Sequence, residues 1–226
     1  MIKIENVSKF YGSHQVLKDV NLSFVGGKVY GIVGENGSGK TTLFRCIAGL
    51  EKFNGNITSP FDKLKNHLGF LMTEPFFFSK ITGHEYLHLL ANARNIKLSD
   101  VEERNIFELP LQQYASTYST GMKKKLALLA ILLQPNDCYI LDEPFNGVDI
   151  QSNIIITQII HRLRELGKTV VISSHIFSTL RDTCDEIHLL HQGEIIKTAG
   201  REHFDQLEAR MKASTTGNKI EKLKLG

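Results

Sequence analysis

Apolar and polar positions along the chain follow two different periods. Short β-branched runs at Ile2 to Ile4, Val29 to Val33, Tyr139 to Leu141, Thr169 to Ile172 and Ile187 to Leu190 predict strands, with helical stretches between them. That alternation is the pattern of an α/β sheet covered on both faces. From about Ile81 to Leu133 no strand is predicted, and apolar residues recur at helical spacing, as in Tyr86, Leu87, Leu89, Leu90 and again Leu126, Leu129, Ala130, Leu133. A helical insertion inside an α/β core accounts for the change. The segment VLKDVNLSFVGGKVYGIVG alternates around Gly26-Gly27 as a β-hairpin would, which predicts an antiparallel subsheet early in the chain. A further hairpin is expected at Gln192-Gly193. After Gly200, REHFDQLEARMKAS predicts one amphipathic helix, and TTGNKIEKLKLG is polar, lysine-rich and patternless.

Composition narrows the picture. With 226 residues, 42% hydrophobic and 23% charged, the chain can bury one sizeable core or two small ones. Its 27 Lys+Arg against 24 Asp+Glu give +3, too small and too evenly spread to argue for nucleic acid, and no nucleic-acid partner is expected. The longest apolar run, Leu126 to Leu133, falls well short of the roughly 18 residues that span a bilayer, and MIKIENVSKF lacks the apolar core of a signal peptide. The expected location is cytoplasmic. Cys46, Cys138 and Cys184 are far apart and lack ligand-spaced neighbours, so they are expected as buried small hydrophobes.

Two segments carry chemistry. Gly34-Glu35-Asn36-Gly37-Ser38-Gly39-Lys40-Thr41 fits G-x-x-x-x-G-K-[ST], after the strand Val29 to Val33 and before a helix from Lys40 to Ala48. Its glycines let consecutive N–H groups turn toward a β-phosphate, and the following helix aims its positive end there. Lys40 is expected to reach the β and γ oxygens and the Thr41 hydroxyl to ligate magnesium, with Thr42 completing the phosphate-binding set. A bare glycine-rich turn is the bland alternative, and the strand–loop–helix context argues against it. The second segment, Cys138 to Leu141, is an apolar strand ending in Asp142 and Glu143, at the carboxyl end where open α/β sheets place ligands. Side chains alternate along a strand, so Asp142 is expected to face the magnesium beside Thr41 while Glu143 leans toward an attacking water.

The phosphate loop, then Tyr118-Ser119-Thr120-Gly121-Met122-Lys123, then Ile140 to Pro144, then Asp149, then Ser173-Ser174-His175, together resemble the nucleotide-binding subunits of ABC transporters over roughly residues 1–200. The discriminating part is the signature at Ser119 to Met122. Its usual form is Leu-Ser-Gly-Gly-Gln, and the Tyr-Ser-x-Gly-Met variant here resembles drug- and ABC-2-type export ATPases. From the residues alone, Ser119 and Gly121 open a helix from Met122 to Leu133 whose N–H groups can hold an anion. The resemblance implies more: Ser119, Gly121 and Met122 grip the γ-phosphate of the ATP held by a second, head-to-tail subunit. It likewise implies that His175 is the switch histidine beside Glu143, that Asp149 crosses the dimer interface, and that adenine stacks on Tyr11, a contact worth on the order of 1–3 kcal/mol.

The resemblance further implies an α/β P-loop NTPase core, a mixed sheet with an antiparallel β-subdomain, and an inserted α-helical subdomain. Residues 1–75 and 135–200 would form the core, 76–134 the helical subdomain, and 201–226 a C-terminal helix and tail. The implied protein is an ATPase using ATP and Mg2+, pairing as a homodimer and driving a separately encoded transmembrane permease in export from the inner face of the membrane. A soluble ABC ATPase of assembly or translation is the rival, although such factors often carry two copies of each motif and this chain has one. A P-loop GTPase or nucleotide kinase is a weaker rival, because no Asn-Lys-x-Asp base-reading motif is present and a kinase leaves the signature unexplained. The family's glutamine at the core-to-helical junction is replaced within Leu71-Met72-Thr73-Glu74-Pro75, so the oxygen offered to magnesium is that of Thr73 or Glu74, of which Glu74 is taken into the metal set. The insertion is also about ten residues short between Asn95 and Tyr118, which predicts a stunted or missing helix. Phe76-Phe77-Phe78 then reads either as core or as the groove for a transmembrane subunit's coupling helix.

Overall fold

Residues 1–216 are described by a computed structural model, and the segment 217–226, most of the lysine-rich tail, lies outside the described residues. Strands β1 (Ile2–Tyr11) and β2 (His14–Phe24) pair antiparallel, and the sheet is closed on its other side by β4 (Asn54–Thr58) in the order β2-β1-β4. Strand β3 (Val29–Val33) leads into helix α1 (Lys40–Ile47) before β4. It belongs to a second sheet, which β5 (Leu68–Leu71) joins before helices α2 (Gly83–Asn92) and α3 (Thr120–Leu132) intervene. There follow β6 (Cys138–Leu141), α4 (Ile150–Glu165), β7 (Thr169–Ser174), α5 (Phe177–Thr183), β8 (Glu186–His191), β9 (Glu194–Gly200), a 3₁₀ turn Arg201–His203 and α6 (Phe204–Thr216). The second sheet runs β5-β6-β7-β3-β8-β9, parallel except for the antiparallel edge pair β8–β9.

Two apolar layers lie on the faces of this sheet, and strand alternation assigns each residue to one. Val29, Val33, Tyr139, Leu141, Val170 and Ile172 pack with α3, α4 and α5. Tyr30, Ile32, Cys138, Ile140 and Val171 pack with α1 and the three-stranded sheet. Every residue of β3, β6 and β7 is buried, as expected of central strands covered on both sides. The three cysteines are buried and free.

The antiparallel subsheet is where expected, but its hairpin is not. Gly26-Gly27 joins two different sheets, and the hairpin turn lies instead between Tyr11 and His14, which pair with one another. Alternation stops at Phe24, because β3 is buried on both faces and carries no polar side, so it cannot fold back on β2 as a half-exposed partner. The Gln192-Gly193 hairpin is present: both residues have positive φ (46° and 85°), as a two-residue primed turn requires. Among the described residues no α-helix stands between Asn92 and Thr120. The chain crosses that gap in turns, anchored in the core by Val101, Phe107, Leu109 and Leu111.

Candidate active site

The carboxyl ends of β3, β6 and β7 are neighbours in the parallel sheet, and each continues into one of the segments singled out above. After β3 the chain turns through Gly34 to Gly39. Gly39 occupies the N-cap position of α1 at φ 110°, a left-handed conformation that favours glycine, and no side chain caps the helix. The first N–H groups of α1 are therefore left for an anion. Lys40 is buried, and its Nζ donates to the carbonyls of Gly34 (2.7 Å) and Glu35 (3.1 Å). Burial pulls its pKa below the ordinary lysine value, against the opposing pull of Glu143 and Asp142. Ser38 Oγ is buried with no hydrogen-bond partner among the described residues. A buried cation, uncapped N–H groups and an orphaned hydroxyl on one loop fit a polyphosphate. A cavity of ≈ 270 Å³ opens here, lined by loop residues between Asn36 and Thr42 with Val16, Thr73, Asp142 and Glu143.

Asp142 is fully buried and accepts three hydroxyls. Its Oδ1 takes Ser173 Oγ (2.6 Å), and its Oδ2 takes Thr41 Oγ1 (2.7 Å) and Thr73 Oγ1 (2.6 Å). Three residues thus present hard oxygens at one point, the donor chemistry that suits magnesium. Of the two candidates at the junction, Thr73 is the one at the cavity. Glu74, expected in the metal set, is exposed and does not line it. The physical reason is the end of β5: Asp142 N–H donates to the carbonyl of Leu71 (2.9 Å), and two residues on, the Thr73 side chain reaches Asp142.

Glu143 has φ 52°, a conformation that costs a non-glycine residue on the order of 1–3 kcal/mol unless its surroundings hold it. They do so from four directions. Its N–H donates to Ser173 Oγ (2.8 Å), and its carbonyl accepts from Lys124 Nζ (2.7 Å). Its Oε2 lies 2.9 Å from His175 Nδ1 and accepts from the His175 N–H at 3.4 Å. The predicted pair Glu143 and His175 is therefore in direct contact.

The signature residues sit apart from this cavity. Ser119 is the N-cap of α3, its Oγ accepting from the Met122 N–H (3.2 Å), while the Met122 side chain packs against the core. Gly121 is required by close approach, since a Cβ there would lie 2.6 Å from the Gly147 carbonyl oxygen. Asp149 caps α4, and hydrogen bonds from Ser152 and Lys125 hold its carboxyl well below the usual carboxylate range. Tyr11, exposed at the end of β1, has Lys9 Nζ 4.6 Å from its ring centroid. None of Ser119, Gly121, Met122, Asp149 or Tyr11 lines the cavity around Lys40. Phe76 and Phe78 are exposed with their rings 5.4 Å apart, whereas Phe77 packs on Tyr86. Ser173 and Lys124 carry contacts that motif reading gave no role. For Lys124 a signal existed: it stands three and four residues before buried Ala127 and Leu128, on the apolar face of its helix.

Comparison with known proteins bears on this geometry. A family model described as ABC transporter matches residues 17–146. The bacitracin transport ATP-binding protein BcrA of Enterococcus faecalis is 33% identical over 87% of this chain and 68% of its own length. The lantibiotic transport ATP-binding protein SrtF of Streptococcus pyogenes is 30% identical over 92% of this chain and 95% of its own. Among solved structures, an ATP-binding subunit of an ABC transporter superposes with a TM-score of 0.82 over 100% of this chain and 98% of its own, at 24% identity. The dimeric ATP-binding cassette MJ0796, in a post-hydrolysis state bound to ADP and Pi, gives 0.79 over 89% of this chain and 99% of its own, again at 24% identity.

Proposed function

The chain belongs to the ABC transporter family as an ATP-binding, ATP-hydrolysing subunit, and from that premise we propose that two copies close head to tail around two nucleotides and drive a separate membrane permease in export. The observation that carries the reading is the convergence on one cavity of Lys40, the Asp142–Thr41–Thr73 oxygen cluster and Glu143, whose carboxylate is in contact with His175 outside the lining.

Within that reading the loop Gly34 to Thr41, with Thr42, binds the phosphates. Lys40 exchanges its two loop carbonyls for phosphate oxygens, a short swing for a side chain already buried beside them. Thr41, Asp142 and Thr73 would hold magnesium, which supplies charge neutralisation on the transferring phosphoryl group. Glu143 orients a water and accepts its proton, while His175 holds the Glu143 carboxylate and stands ready for the γ-phosphate. Ser119, Gly121 and Met122 lie away from their own chain's cavity, and this supports their acting on the partner's nucleotide, with Asp149 at the junction between subunits. Tyr11 offers an exposed ring for adenine. No helix among the described residues is long and apolar enough to cross a membrane. Attachment to the inner membrane face through Phe76 and Phe78 is consistent with their exposure. The bacitracin and lantibiotic transport named for the two relatives supports a transport role, and the outward direction is supported by the resemblance of Tyr118 to Met122 to the signature of export ATPases.

The test is Glu143→Gln. The variant is expected to bind ATP with parental affinity, to hydrolyse it at least about a hundredfold more slowly and to accumulate as an ATP-dependent dimer in size-exclusion chromatography. Parental turnover would remove Glu143 from the chemistry.

A further inference from the structure

The least expected side chain in the core is Lys124. It is 2% exposed, on a helix whose neighbouring buried positions are Leu126, Ala127 and Leu128. An ammonium taken out of water is tolerated only where its donors find acceptors. Lys124 Nζ donates to two backbone carbonyls, Glu143 O at 2.7 Å and Asn146 O at 2.9 Å. Both belong to the turn that follows β6, and the Asn146 N–H bonds to the same Glu143 carbonyl at 3.2 Å. The lysine therefore grips both ends of a four-residue turn whose first residue is in the left-handed conformation.

We propose that Lys124 is a positioning residue for hydrolysis: it clamps the turn from Glu143 to Asn146 so that the Glu143 carboxylate stays on His175 and at the cavity. The inference rests on the reading of Glu143 as the group that activates water. The Glu143 N–H is held by Ser173 and its carbonyl by Lys124 and Asn146, so a turn about the N–Cα bond out of φ 52° into an ordinary region would have to break the bonds at one end or the other. Burial lowers the pKa of Lys124, while the carboxylates of Glu143, Asp142 and Glu74 favour its charged form. The clamp also has a direction in the fold. Lys124 lies in the second turn of α3, whose N-cap is Ser119, so the helix that opens on the signature and the glutamate of the same chain are joined through one side chain.

Lys124→Met, which keeps the aliphatic stem and removes the donors, separates this role from mere support of the core. Steady-state ATP hydrolysis is expected to fall in kcat by about ten- to a hundredfold while KM for ATP stays within about twofold. Lys124→Arg, which retains donors, should recover most of the rate. The deciding measurement is Lys124→Met placed on Glu143→Gln: if the lysine acts through the glutamate, the double variant hydrolyses ATP no more slowly than Glu143→Gln alone. Parental kcat in Lys124→Met, or an equal fractional loss in both backgrounds, would overturn the clamp and leave the Glu143 reading standing. Parental turnover in Glu143→Gln would overturn both. Should Lys124→Met not fold, Lys124→Gln, with an amide donor on a shorter stem, carries the same comparison: a loss present in the parental background and absent in Glu143→Gln supports the clamp, and an equal loss in both overturns it.

Discussion

Ser173 supports both acids of the site with one hydroxyl: it donates to Asp142 Oδ1 and accepts from the Glu143 N–H. Removing it strips a donor from a fully buried carboxylate and leaves a buried N–H without an acceptor, so Ser173→Ala should cost on the order of 1–3 kcal/mol of stability. Its effect on turnover should exceed what unfolding explains, because Asp142 and Glu143 would both be free to shift. Denaturant melts, with ATPase assayed where the variant is fully folded, separate the two effects, and an unchanged rate per folded molecule would reduce Ser173 to a structural role. Legibility at this scale followed sequence distance. The meeting of Lys40, Thr41 and Asp142 at one cavity was readable because each lies in a contiguous motif. Ser173 and Lys124 act on residues 30 and 19 positions away, a relation that only the sheet order and the packing of α3 create. Thr73 is similar: the junction segment left two residues open, and the direction of the chain after β5 brings Thr73, not Glu74, to Asp142.

At the scale of elements, two helices offer a controlled comparison. α2 begins with a reciprocal capping box, Thr82 Oγ1 accepting from the Glu85 N–H and Glu85 Oε2 accepting from the Thr82 N–H. α3 begins with Ser119 alone as its cap. Either residue changed to alanine should cost about 0.5–2 kcal/mol through loss of the cap. Only Ser119→Ala should also impair ATP-dependent dimer formation and hydrolysis, since on the proposed reading its hydroxyl and the N–H groups behind it meet the partner's nucleotide. Thermal melts of both variants, beside ATP-induced dimerisation on a Glu143→Gln background, check this, and equal dimerisation would make Ser119 a plain cap. The buried strands β3, β6, β7 and β8 were legible from their β-branched runs, whereas β4 and β5, short and poor in β-branched residues, were not. The turn at Gly26-Gly27 was misread because two adjacent strands with apolar faces look like a hairpin, and the sequence does not say that they enter different sheets.

The whole molecule is built around a sheet whose two faces feed separate apolar layers, and its central strands deliver the phosphate loop, the acids and the histidine to one edge. For the phosphate loop and the acids that arrangement was foreseeable from motifs at strand ends along an α/β pattern, while for His175 it was implied by the family resemblance. The irregular crossing from Asn92 to Thr120 was foreseeable only as a shortage of residues, because its folding depends on Leu109, Leu111 and their neighbours finding the core rather than on any local period. The Phe76 to Phe78 triplet is divided by the fold into one packed ring and two exposed ones. Phe77→Ser should therefore destabilise, since it opens the contact with Tyr86. The double variant Phe76→Ser/Phe78→Ser should change stability by no more than about 0.5 kcal/mol, as surface positions do. It should also leave the ATPase of the isolated subunit untouched, because neither ring reaches the cavity around Lys40. If these two rings seat a permease helix, the double variant is lost from the membrane fraction that retains the parent, and transport stops while hydrolysis in the free subunit continues. If it sediments with membranes as the parent does, the pair is ordinary exposed surface and the docking site lies elsewhere on the subunit.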